Sequence, residues 1–299
     1  MEIWQKLIYS LAVLQVLSFA RDSGAGPFPD QGATPDGAVA WATTVIDANS
    51  HSPAENILGP VDSNLAVGIA GGGSLTVGFD SIIINGPGPD FAVWENGFAV
   101  GNLIYAELAY VDVSTDGENW VTFPSVFLDE PEPTNPKINP TNVYNLAGNY
   151  IANYIPLGDR QGTPFDLDNI LDTSAVKTGL VDPNHINYVR LRDIVGAQDG
   201  GVNYDHAVYF GYPDNHRIYD GLSYGGGADW DAVGVINTLS ADFDKSGTVD
   251  LVDLQILSDA WLSQNGDTRW KAQCDISLPK DDVINQKDFA VFAQQWLKP

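Results

Sequence analysis

The densest set of metal-ligating groups in the chain is Asp242-Phe-Asp244-Lys-Ser246-Gly247-Thr248-Val249-Asp250-Leu-Val-Asp253. Oxygen side chains stand at positions 1, 3, 5, 9 and 12 of a twelve-residue loop. Gly247 holds position 6, where the chain must turn sharply, and Thr248 at position 7 offers a backbone carbonyl. A hard Ca²⁺ ion takes roughly six to eight such oxygens. The expected ligands are therefore Asp242, Asp244, Ser246, Thr248, Asp250 and Asp253, the last standing where Glu is usual. A solvated Asp-rich turn is the plain alternative, but it leaves the placing of the glycine unexplained. A weaker loop ends at Asp288 and counts back through Asn285, Val283 and Asp281. There Asp282 replaces the turn glycine, and the loop must be two residues longer to begin at Asp275.

Elsewhere the chemistry is sparser. Asp90 and Glu95 bracket an apolar strand, and Asp229 and Asp231 flank Trp230, so these four acids are a candidate structural Ca²⁺ site. The competing reading is turn aspartates and a capping glutamate. Trp94, Trp120 and Trp230 form a sugar-stacking platform if exposed, and otherwise belong to the core. His185, His206 and His216 are close in sequence, but catalysis would need them to converge in space. No Gly-x-Ser-x-Gly elbow, HExxH or phosphate loop occurs. Close carboxylate pairs suited to a glycosidase carry no specificity in a chain with 39 acids.

The elements that must position these groups fall into two textures. From about residue 21 to 240, short apolar runs alternate with Gly, Pro, Asn and Asp: SLTVGF (74–79), SIIIN (81–85), DFAVWEN (90–96), AELAYVDVS (106–114), WVTF (120–123), NYVRLRDI (187–194), HAVYFGY (206–212) and DAVGVIN (231–237). Around Tyr110 to Ser114 the alternation has period two, with Val111 and Val113 opposite Asp112. This pattern predicts an antiparallel β-sandwich. The Pro- and Asn-rich stretch 129–142 reads as an exposed loop. After residue 240 two copies of one helix pattern stand 35 residues apart, with Leu254, Ile256, Leu257, Trp261 and Leu262 matching Phe289, Val291, Phe292, Trp296 and Leu297. They predict a small all-α module of two loop–helix units over 241–299.

The motif DFDKSGTVDLVDLQIL, with no entering helix, an exit helix and a repeat of both, resembles a type I dockerin module, in particular the repeats on large secreted proteins of planctomycete-like bacteria. The resemblance implies two calcium sites, a compact helix pair, and docking onto a cohesin-like domain or other extracellular protein. Midway along the helices, where such dockerins often carry Lys or Arg, stand Ser258-Asp259 and Ala293-Gln294. GPGPDFAVWENGF (86–98), AELAYVDVSTDGENWVTF (106–123) and GGADWDAVGVIN (226–237) resemble exported bacterial "cell surface protein" β-sandwich domains; the resemblance implies a jelly-roll or galactose-binding-like sandwich and display, adhesion or glycan contact. Two functions compete. One is a non-catalytic surface or carbohydrate-contacting protein tethered by its tail, favoured by the absence of a catalytic motif. The other is a polysaccharide-degrading hydrolase or lyase delivered by the same tail.

Composition narrows the setting. The 299 residues carry 32 Asp, only 7 Glu and a net charge of -25, which excludes nucleic-acid and anionic-membrane binders. Residues 21–240 hold -21 of that charge and residues 241–299 hold -4. Residues 1–20, with Lys6 before an apolar run and Ser18-Phe19-Ala20 at its end, read as a secretory signal. No later run reaches the ~18 apolar residues of a membrane span. The expected protein is secreted or displayed at the cell surface, and Cys274, the one cysteine, reads as a buried apolar residue.

Overall fold

A computed structural model describes residues 27–29, 32–50, 52–62, 66–69, 72–100, 103–105, 107–128, 137–150, 160–194, 205–207, 216–218, 228–277 and 280–297. The signal assignment lies outside them.

The chain is mainly β and its strand pairings are antiparallel. Ten strands build two five-stranded sheets: β1 (Ala40–Trp41), β2 (Thr44–Ala48), β3 (Val67–Ile69), β4 (Ser74–Ile83), β5 (Phe91–Glu95), β6 (Ala109–Ser114), β7 (Val121–Thr122), β8 (Thr163–Phe165), β9 (Ile186–Asp193) and β10 (Ala228–Val235). One sheet runs β1-β10-β5-β8, with β3 also on β10. The other runs β2-β4-β9-β6-β7. The period-two alternation explains how they meet. Leu75, Val77, Val111, Val113, Val189 and Leu191 from the second sheet join Phe91, Val93, Phe165, Val233 and Val235 from the first in one apolar core. Burying each such side chain contributes about 1.5–3 kcal/mol. At its centre Phe91 stacks on Phe165 at 5.1 Å, and Phe123 meets both edge-on.

Two expectations need correction. The runs 74–79 and 81–85 belong largely to one strand, because a register shift opposite Ile186–Tyr188 lets β4 pass through Phe79–Ile82 unbroken. Within 129–142, residues 129–136 lie outside the described set, but the remainder is not an exposed loop. Lys137–Ile138 pairs with Leu103–Tyr105, and Ile138 and Thr141 are buried. The run 206–212 is described only at Asp205–Ala207, which pairs with His216–Ile218.

Behind the sheets come two helices, α1 (Leu251–Asp259) and α2 (Gln286–Gln295). Each begins with a reciprocal capping box, Asp250 with Asp253 and Asn285 with Asp288, which satisfies amide groups that a helix leaves open at its start. Each is followed by the repeat's leucine in the left-handed conformation, Leu262 at φ 56° and Leu297 at φ 53°. That turn lets each helix end reach the opposite loop: Leu262 donates to the Ile284 carbonyl and Leu297 to that of Val249, both at 2.9 Å. Leu257, Ala260, Cys274, Ile276, Ile284 and Phe292 fill the core between them, with Leu239, Ala241 and Val249. Cys274 is buried as expected, and burial pushes its thiol up to about 11.

Candidate metal centre and sheet-face groove

The first loop gathers three of its expected ligands. Carboxylate oxygens of Asp242, Asp244 and Asp253 lie within 4.8 Å of one another. The backbone achieves this by turning through Lys245 at φ 60° and Gly247 at φ +88°, a region that glycine enters freely. Turned amides then hold the acids. Asp242 accepts from Ser246 at 3.0 Å and Gly247 at 2.7 Å, and Asp253 from Phe243 at 2.6 Å, Asp244 at 3.2 Å and Asp250 at 2.9 Å. Asp250 caps α1 through Val252, and the Thr248 carbonyl accepts the Ser246 hydroxyl. Burial raises the Asp242 carboxyl above its ordinary value despite these amides, and the Asp244 and Asp253 carboxyls push the same way. Among the described residues no basic side chain pairs with the three; Lys245 beside them faces Asp80 at 4.0 Å. Three mutually repelling oxygen donors with no nitrogen or sulfur suit a hard divalent cation.

The second loop repeats this bonding at its two ends. Asp288 accepts from Ile276 at 2.8 Å, Ser277 at 2.9 Å and Asn285 at 2.8 Å, matching Asp253, and Asp275 accepts from Asp282 at 3.2 Å. Asp282 takes the turn expected of a glycine, at φ 58°. The middle differs. Lys287 donates to Asp281 at 2.7 Å and holds its carboxyl below the ordinary value, while the Val283 carbonyl accepts from Asn285. One Asp275 oxygen and the Ser277 hydroxyl are buried without a partner. Ser277 was missed in the sequence because the two extra residues shift the count.

The four-acid site in the sandwich does not assemble. Asp90 and Glu95 sit at opposite ends of β5. Asp90 instead ties three segments together, accepting from Gly86, Asn237 and Leu167 at 2.7–2.8 Å, with its carboxyl raised to about 6 by burial. Asp231 is buried and accepts from Asp62 at 3.4 Å. Glu95 does meet Asp229 at the β5–β10 edge, but its close partner is Glu107. Burial raises both carboxyls, Glu107 to about 7; the Glu107 charge also raises Glu95, and Asp229 raises Glu107, whereas the hydrogen bond from Glu95 favours the ionised Glu107. Nothing in the spacing marked Glu107 as functional, although it lies in the run 106–114; it stands just before β6.

The tryptophan platform reduces to one residue. Trp94 and Trp230 are fully buried, packed inside β5 and β10, and present no face to a ligand. Trp120 is half-buried on the outer face of the second sheet, beside a groove of about 180 Å³ that Tyr188 and Arg190 also line. His185 packs against Gly247 in the metal loop, while the backbones of His206 and His216 lie in a separate two-stranded hairpin.

No protein-family model matches the chain, and no curated protein does. Among solved structures, CBM32-3 from a family 31 glycoside hydrolase from Clostridium perfringens is similar at 12% identity and a TM-score of 0.29, over 65% of this chain and 89% of that one. So slight a likeness carries nothing over to this chain.

Proposed function

We propose that the protein is a non-catalytic, carbohydrate-contacting protein of the cell exterior, tethered by a calcium-organised C-terminal module that resembles a dockerin. The observation that carries this reading is the Asp242–Asp244–Asp253 cluster, held by turned amides and unopposed by any basic group among the described residues. Bound calcium would neutralise those charges and brace the start of α1. Asp275, Ser277 and Asp288 would hold a second ion. Docking is supported by the apolar side chains that the module leaves exposed: Leu251, Leu262, Phe289 and Leu297 are 46–72% accessible. A cohesin-like or other extracellular partner would cover them.

Glycan contact is supported by the sheet-face groove with its half-exposed tryptophan. The close carboxyl pair, Glu95 with Glu107, favours binding over hydrolysis. It is hydrogen-bonded and largely buried, whereas retaining and inverting glycosidases keep their carboxyls about 5 Å or more apart.

The test incubates the full chain with a panel of polysaccharides, with calcium and with chelator, and scores retention and reducing ends. Retention without new reducing ends is the expected result. Release of reducing ends would establish the enzyme instead.

A further inference from the structure

The outer face of the second sheet carries an ordered polar row that the core does not need. Thr76, Arg190, Asp112 and Thr122 lie in register across β4, β9, β6 and β7, and Asp47 on β2 faces Thr76. Asp112, fully buried, accepts from Arg190 Nε at 2.7 Å, Arg192 Nε at 2.6 Å and Thr122 at 2.6 Å. The Arg190 guanidinium also lies 4.1 Å from the ring centre of Trp120, whose indole N–H is fixed on the Gly117 carbonyl at 3.1 Å. Stacked on one side and anchored at Nε, Arg190 keeps Nη1 and Nη2 clear of any hydrogen bond among the described residues. It lines the groove together with Trp120, Tyr188, Ile46, Thr76 and Asp47.

We infer that this groove binds one neutral pyranose unit of a glycan. The inference rests on the reading that the sandwich contacts carbohydrate, and it deepens that reading by naming the surface and the ligand class. Tyr188, Trp120 and the half-exposed Ile46 (52% accessible) offer apolar surface to the C–H face of a sugar. The rigid guanidinium donates to its hydroxyls, and the exposed Asp47 carboxylate accepts from them. The volume, below the roughly 300–1,000 Å³ of sites for larger ligands, suits a single ring. Neutrality follows from charge. Asp47 and Asp112 offset Arg190 and Arg192 on this face, and a chain of net charge -25 repels an acidic sugar.

Titration of the full chain with neutral and uronate sugars, following the Trp120 indole N–H by NMR, tests the inference. A neutral sugar is expected to shift that resonance. By calorimetric titration, which does not need the indole signal, Asp47→Ala and Trp120→Ala should each weaken binding roughly tenfold, about 1.4 kcal/mol, and Asp47→Ala, at an exposed position, should keep the thermal midpoint of the parent. Glycan binding that survives both substitutions overturns the groove and leaves the carbohydrate reading standing. A shift with uronates alone overturns the neutral assignment, and no retention of any glycan overturns both.

Discussion

Gly247 decides by a single carbon whether the metal loop can form. Its φ of +88° strains any other residue, and an added Cβ would come within 2.5 Å of His185 Nδ1. Gly247→Ala is therefore expected to cost about 1–3 kcal/mol and to weaken calcium binding, read as a drop in thermal midpoint that is larger with calcium present. The glycine was plain in the sequence because only its place in the loop explains it. Glu107 was not, since a carboxyl raised by burial leaves no mark on spacing. Its effect has a definite sign. Glu107 is raised from 4.5 to about 7, so between those pH values the folded chain holds a proton that the unfolded chain has released. Stability contributed by this pair is full below about pH 4.5 and is lost as pH rises through 7. Glu95→Gln replaces a carboxyl that burial holds protonated with a neutral amide that can still donate to Glu107. It is expected to raise the thermal midpoint at pH 8 and to change it little at pH 4.5.

At the scale of elements, the outer row of the second sheet depends on Asp112. Two arginines share it, and both are partly exposed, at 28% and 39% of their side-chain surface. Asp112→Ala removes the carboxylate that both share at a fully buried position, leaving Arg192 its bond to Thr122 and Arg190 its stack on Trp120. Breaking a wholly buried pair costs about 3–5 kcal/mol, and solvent reaching the arginines reduces this to roughly 2–3 kcal/mol, measurable by denaturant unfolding. Alternation placed Asp112 opposite Val111 and Val113, so its face was legible. Its partners are 78 and 80 residues away, and only strand order brings them together. The same limit explains β4, read as separate runs because a bulge of exposed and half-buried residues imitates a turn. The two helices were legible because local capping and the Trp-Leu ends mark each of them, whereas the bonds from Leu262 to Ile284 and from Leu297 to Val249 that join the units were not. Asp281, expected as a ligand of the second loop, is instead the partner of Lys287, one residue before Asp288.

Across the whole molecule, the C-terminal module and the sandwich are joined by contacts that link the candidate metal loop to the rest of the fold. Gln295 of α2 accepts from Ala241 at 2.9 Å and donates to Ser240 at 3.1 Å, Ile84 from β4's end packs on the module core, and His185 lies on the metal loop. Chelation is therefore expected to lower the helical circular dichroism and, through these contacts, to broaden the unfolding of the sandwich as well. Most of the negative charge lies in residues 21–240, so a cation bound at residues 242–253 would organise one loop and leave the protein acidic overall. The most direct test is calorimetric titration of calcium into the chelator-stripped full chain, alongside Asp242→Asn and Asp253→Asn. Exothermic or endothermic binding that both substitutions weaken by roughly tenfold or more is the expected result. No heat of binding, or an affinity unchanged by either substitution, would contradict the calcium site at residues 242–253.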